Sequence, residues 1–190
     1  MLFRSAEAVC SEILHHMHAE LTRGKGSGTV GANGLARFMF AFGQVAMQQM
    51  VALDQYRKGV QKRSADPEEG AAEDDDPNGV SSVDESEQVM KDGIAEIVGG
   101  GSECIVAAFA PFLSDVCHNR TLMTAHPKLC SSALLALVKV MAIDAAFCKR
   151  NFPLFLGLLQ DRTVEPHVRR NLVIAMRSEE HTSELQSPLD

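Results

Sequence analysis

The chain has 190 residues, 45% of them apolar, which permits one ordinary domain or several stacked repeats around an ample core. One Tyr, no Trp and an abundance of Leu, Ala, Val and Met favour helix packing over a sandwich or barrel. No apolar run reaches the length of a membrane span, and charges and histidines stand where a signal peptide would be apolar. The net charge of −7 is unevenly spread: Ser64–Met90 carries ten acids and no Lys or Arg, the last 14 residues are net −3, and the rest is mildly basic at +6.

Ser5 to Arg23 reads as an amphipathic helix, with Ala8, Val9, Ile13, Leu14, Met17 and Leu21 on one face and Gly24 as its stop. His15, His16 and His18 invite a metal reading, but no neighbouring Cys or carboxylate completes a ligand set at zinc-site spacing. Gly26, Gly28 and Gly31 form a formal GxGxxG; the dinucleotide fingerprint needs a strand before it, and here a helix precedes, so a flexible loop is expected. Leu35 to Arg63 is the longest helix, with Leu35, Phe38, Met39, Phe42, Val45, Ala46, Met50 and Leu53 at spacings of three and four. Its basic end, Arg57, Lys58, Lys62 and Arg63, suits the helix dipole and is also a candidate DNA contact.

Residues 64–83 lack apolar periodicity and contain Pro67, Pro77 and the run Glu73–Asp76, so a disordered acidic linker is expected. Ser81 and Ser82 stand three residues before Asp84 and Glu85, a pattern suited to an acidophilic kinase. Phosphates there would strengthen competition with DNA for the basic face; a passive linker is the alternative. Asp84 with Glu87 resembles a capping box opening a helix through Val98. Gly99–Gly101 end it, and Ser102 caps the next helix, which runs to about Asn119 through Pro111.

Asp144 to Met176 reads as two antiparallel helices, the pair around which the chain is expected to be organised. Asp144 is the N-cap, Phe147, Leu154, Leu158 and Leu159 form the first stripe, and Gln160 and Asp161 end it. Pro166 suits the first position of the second helix, whose stripe is Val168, Leu172, Ala175 and Met176. Arg169 is expected to pair with Asp161 inside the hairpin. Lys149, Arg150 and Arg170 lack such a local partner and are further candidate DNA contacts.

Aligning Pro111 with Pro153 superposes the first helices of two hairpins at an offset of 42 residues, and aligning Pro127 with Pro166 superposes the second helices at 39. A helical hairpin repeated every 40 residues or so is the pattern of HEAT and armadillo solenoids. The expected fold is therefore all-α: an α-solenoid of HEAT-like hairpins, with a helical pair over 1–63, the disordered acidic insert over 64–83, HEAT-like repeats over 84–176, and a tail over 177–190. None of the seven histidines stands beside a Ser or Cys in a recognisable elbow, and Cys117 and His118 are adjacent and point apart. No catalytic, cofactor-binding or metal-binding residue is expected. The five cysteines, Cys10, Cys104, Cys117, Cys130 and Cys148, are odd in number and lack a CxxC pair, so buried thiols in a reduced intracellular compartment are expected.

The segment LARFMFAFGQVAMQQMVALDQYRKGVQKR, the acidic gap, and the stretch from Ala107 to Met176 with its Arg169-x-Asn171-Leu172 helix together resemble the condensin subunit 1 family, the HEAT-repeat non-SMC subunits of condensin. The resemblance covers roughly Ala6 to Met176. It implies an internal piece of a larger non-catalytic scaffold acting in mitotic chromosome condensation, partnered by SMC ATPases and a kleisin in the nucleus and on mitotic chromosomes, with a cytoplasmic pool; the basic clusters add an expected weak, sequence-independent DNA contact, and no membrane is expected. A HEAT or armadillo adaptor of another pathway, such as transport or phosphatase scaffolding, is the alternative. RSEEHTSELQS, from Arg177, departs from the family pattern and resembles the translation of a sequencing-library adapter, so 177–190 is expected to be non-native.

Overall fold

The computed structural model describes residues 2–23, 31–65, 82–99, 104–162 and 164–174; of 2–7, 63–65 and 82–85 it describes the helical backbone alone. These residues form α1 (Leu2–Arg23), α2 (Ala32–Ala65), α3 (Ser82–Gly99), α4 (Ile105–His118), α5 (Arg120–Ala125), α6 (Pro127–Ile143) and α7 (Ala145–Gln160), then α8 (166–174). The fold is all-α and built of helical repeats, with no strand among the described residues. The acidic stretch 66–81 and the tail 175–190 lie outside the described residues, as do the side chains of Asp84 and Arg63.

The centre of the structure is α6, not the 144–176 pair. Leu129, Ala133, Leu134, Ala136, Leu137, Val138, Val140 and Ile143 are buried over more than half of its circumference, the mark of a helix packed on several sides. It lies most extensively against α2, and α4, α5 and α7 pack on it too. From α2, Phe38, Met39, Phe42, Ala46 and Leu53 are buried. At the crossing, a Cβ on Gly43 would come within 2.9 Å of Ala136 Cα and 3.0 Å of its Cβ, so only a residue without a side chain allows this approach. α1 and α3 pack on α2, and α3 also meets α4.

Local chemistry sets the boundaries. Asp144 caps α7 as expected, its carboxylate accepting from the N–H groups of Ala146 at 2.8 Å and Phe147 at 3.0 Å, while its own N–H closes α6 on Val140 O. Pro127 occupies the first turn of α6 and Pro166 opens α8, where a missing N–H costs nothing. Pro111 and Pro153 lie inside α4 and α7 at matching places. Ser102 lies outside the described residues; Cys104 is the N-cap of α4, and its thiol donates to Ile97 O at the end of α3. α3 begins at Ser82, so Asp84 sits inside the first turn and not at the expected cap. The short α5, unforeseen, is opened by Asn119, whose side chain accepts from Leu122 N–H.

Two stripes differ from expectation. In α1, Val9 and Ile13 are 55% and 53% exposed, while Leu14 is buried with Cys10, Met17 and Leu21 against the core. The α1 face is turned because His15 and His18 take part in it, their rings 5.1 and 5.3 Å from that of Phe109. In α7 the fully buried positions are Phe147, Asn151, Phe155 and Leu158, with Leu154 and Leu159 half-buried.

Gly43→Val should destabilise the fold by about 1–3 kcal/mol in urea unfolding, because two packed backbones must separate. Gly157→Ala in α7, where a Cβ would meet nothing within 4 Å, should cost nothing and gain up to about 1 kcal/mol. Cys104, Cys117 and Cys130 are buried, and burial pushes the thiols of Cys117 and Cys130 up. Thiol labelling of the native protein, read by mass spectrometry, should therefore modify the half-buried Cys10 and Cys148 well before these three; equal rates would contradict the packing.

Candidate functional site

The basic end of α2 is partly neutralised from within. Arg57 Nη2 and Lys58 Nζ each lie 2.7 Å from an oxygen of Asp54, one helical turn earlier. The Lys58 ammonium, and after it the Arg57 guanidinium, holds the Asp54 carboxyl below the usual carboxylate range. Two of the four candidate DNA contacts on this helix thus carry a carboxylate with them. Lys62 is exposed, and the side chain of Arg63 is outside the described residues. Nearby, Gln61 donates to Ser86 Oγ at 2.8 Å and ties α2 to α3.

The second group of candidates divides differently. Lys149 and Arg150 are exposed near the start of α7, with the Arg150 guanidinium 6.0 Å from the centre of the Phe147 ring. Arg170 is exposed on α8. α2 and α7 each pack on α6, so the two groups belong to different layers. Ser81 lies outside the described residues, and Ser82 is the first residue of α3 with its side chain undescribed.

Asp161, for which Arg169 is the expected partner, pairs with Arg120 of the preceding hairpin. Asp161 Oδ2 accepts from Arg120 Nη2 at 2.5 Å, so the contact runs between successive hairpins and not within one. Arg169 is half-buried and its Nε is buried without a hydrogen-bond acceptor. Sequence spacing cannot foresee this, because Arg120 and Asp161 meet only after α4–α6 and α7–α8 have packed.

A second link between these hairpins also escaped the sequence. Ser114 Oγ donates to Asn151 Oδ1 at 2.8 Å, and the buried Asn151 amide donates to Phe147 O at 2.9 Å. The signal was there: Asn151 stands between Phe147 and Phe155 at four-residue spacing, a polar residue in a core register. His118 is exposed, its Nδ1 2.8 Å from Ser114 O, while the neighbouring Cys117 is buried, so the two point apart.

Between the hairpins lies a cavity of about 130 Å³, lined by residues that include Arg120, Met123, Cys130, Leu158, Glu165 and Val168. This is below the roughly 300–1,000 Å³ of sites that enclose small molecules. Among the described residues no group of three metal-ligating side chains converges, and no helix is long and apolar enough to cross a membrane.

No protein-family model matches the chain, and no solved structure matches it significantly. Curated proteins do. It is 31% identical to Condensin-1 complex subunit CAP-D2 of Arabidopsis thaliana over 75% of its length, 31% identical to Condensin complex subunit 1 of Mus musculus over 70%, and 30% identical to that of Xenopus laevis over 90%. The chain spans 11%, 11% and 14% of the length of these relatives. Related along most of its own length to several such proteins, the chain is a homologue of condensin complex subunit 1.

Proposed function

We propose that the chain is a non-catalytic helical-repeat scaffold segment of condensin, acting in mitotic chromosome condensation in the nucleus and on mitotic chromosomes. Its partners in this reading are the other condensin subunits, SMC ATPases and a kleisin. The observation that carries it is the 30–31% identity to condensin subunits from plant, mouse and frog over 70–90% of the chain. The structure supports a scaffold in physical terms: the buried Asn151 links one hairpin to the next, and the cavity between them is small for a substrate. Affinity purification of the tagged protein from mitotic cells should bring down SMC ATPases in stoichiometric amounts. Recovery of transport factors or phosphatase subunits in their place would transfer the reading to an adaptor of another pathway.

A DNA contact within that role is favoured by one observation, the exposure of Lys149 and Arg150 without a carboxylate partner among the described residues. Such binding is sequence-independent, because only phosphate neutralisation is available to it. Lys149→Glu with Arg150→Glu should weaken binding in mobility shifts and lower the slope of log K against log salt by about 2. Charge reversal at Lys58 should do much less, since Asp54 already holds that ammonium. Affinity indifferent to salt, or to the double reversal, would refute the contact.

A further inference from the structure

The described lysines divide by their surroundings. Lys58, Lys62, Lys91, Lys128 and Lys149 are exposed, whereas Lys139 of α6 is half-buried at the crossing with α2. Its Cδ lies 3.4 Å from where a Cβ on Gly43 would stand, so the stem packs beside the notch that the glycine leaves over Ala136. The ammonium stands 5.8 Å from the centre of the Phe40 ring. No carboxylate pairs with it among the described residues. The residues one turn to either side on α6, Leu135, Ala136, Ala142 and Ile143, are all apolar. Phe40 and Leu135 are 49% and 39% exposed, so the surface around the ammonium is apolar and yet open to reagents from solvent.

We propose that Lys139 is a modification site that takes an acyl group from a thioester. An amine attacks a carbonyl only in its uncharged form, and an apolar setting without a carboxylate favours that form. Burial accordingly lowers the Lys139 pKa from the ordinary lysine value. Lys58 has the opposite setting, with Asp54 Oδ2 2.7 Å from its Nζ. Because the Lys139 stem is already packed, holding the nitrogen in place costs little further rotamer entropy. In the step itself the Nζ lone pair attacks the thioester carbonyl carbon, a C–N bond forms, and the C–S bond breaks. The sulfur leaves as a thiol with the proton shed by the nitrogen. The product is a neutral amide, so the charge and its attraction to the Phe40 ring are lost while the stem stays beside Gly43. Acylation thus turns a cationic spot beside Phe40 and Leu135 into an uncharged one without disturbing the crossing beneath it. The inference rests on that crossing and is independent of the condensin reading.

The test is to incubate the whole chain with an uncharged acetyl thioester, S-acetyl-N-acetylcysteamine, and to read the initial acetylation rate of each lysine by peptide mass spectrometry. In the native chain Lys139 should react about threefold or more faster than the exposed Lys149, and in guanidinium chloride the two should react alike. Leu135→Glu places a carboxylate one turn before the lysine, the favourable order for an ion pair at this spacing, and should remove most of the excess. Leu135→Gln, which adds no charge, should keep it. A native Lys139 that reacts no faster than Lys149 overturns the proposal. So does an excess that survives unfolding, or one that Leu135→Glu leaves unchanged in a chain with the parent's circular dichroism.

Discussion

The crossing of α2 over α6 is the contact on which the rest of the structure depends. With no Cβ at Gly43, the α2 backbone comes down onto Ala136, and the two helices meet through small residues at one point and through Phe42, Ala46, Leu137 and Val140 around it. Close approach of the axes brings α6 into the middle of the molecule, where it offers one side to α2, another to α4 and a third to α7 and α8. Lys139, one turn along from the crossing, lies partly within it: its methylenes run beside Gly43, its ammonium stands 5.8 Å from the centre of the Phe40 ring, and burial lowers its pKa. The aliphatic stem contributes to packing while the charge stays near an aromatic face.

A second junction, aromatic in character, holds the first helix. Phe38, Phe42, Phe109 and Phe112 form a group with ring centres 5.1 to 6.5 Å apart, mostly edge to face. His18 enters this group from α1, within 6 Å of Phe38, Phe109 and Phe112. Of the histidines that suggested a metal ligand set in the sequence, the half-buried His18 is thus part of the packing, using its flat ring where α1 offers no phenylalanine among its described side chains.

What was legible in the sequence was whatever depends on local order. Helical periodicity located α1, α2, α4, α6 and α7, Asp144 and the paired prolines set their ends, and the repeat offset exposed the equivalence of the two hairpins. What escaped reading were contacts between elements distant in sequence. Nothing in the order of residues around Gly43 says that Ala136 will sit against it, so the 144–176 pair looked central although it packs on the flank of α6. Arg57 and Lys58 are part of a run of like charges in the sequence, yet both are held by Asp54, one turn away. The buried place of Asn151 depends on Ser114, which reaches it only across the interface of two hairpins, with Phe147 O taking its amide.

The division of labour between the two hairpins follows from these contacts. The Arg120–Asp161 pair has one partner 55% exposed and the other 17%, a setting in which an ion pair contributes about 0–1 kcal/mol. Stabilisation must come from apolar burial, of Leu134 in the first hairpin and of Phe155, Leu158, Val168 and Leu172 in the second, each such side chain worth roughly 1.5–3 kcal/mol when fully buried. Apolar stripes, however, slide on one another with little preference, whereas Ser114–Asn151 along the first helices and Arg120–Asp161 at the turn are satisfied in a single register. Two polar contacts at separate points of one interface fix both translation and rotation. A stack of helical hairpins needs that register more than it needs the small energy of the ion pair.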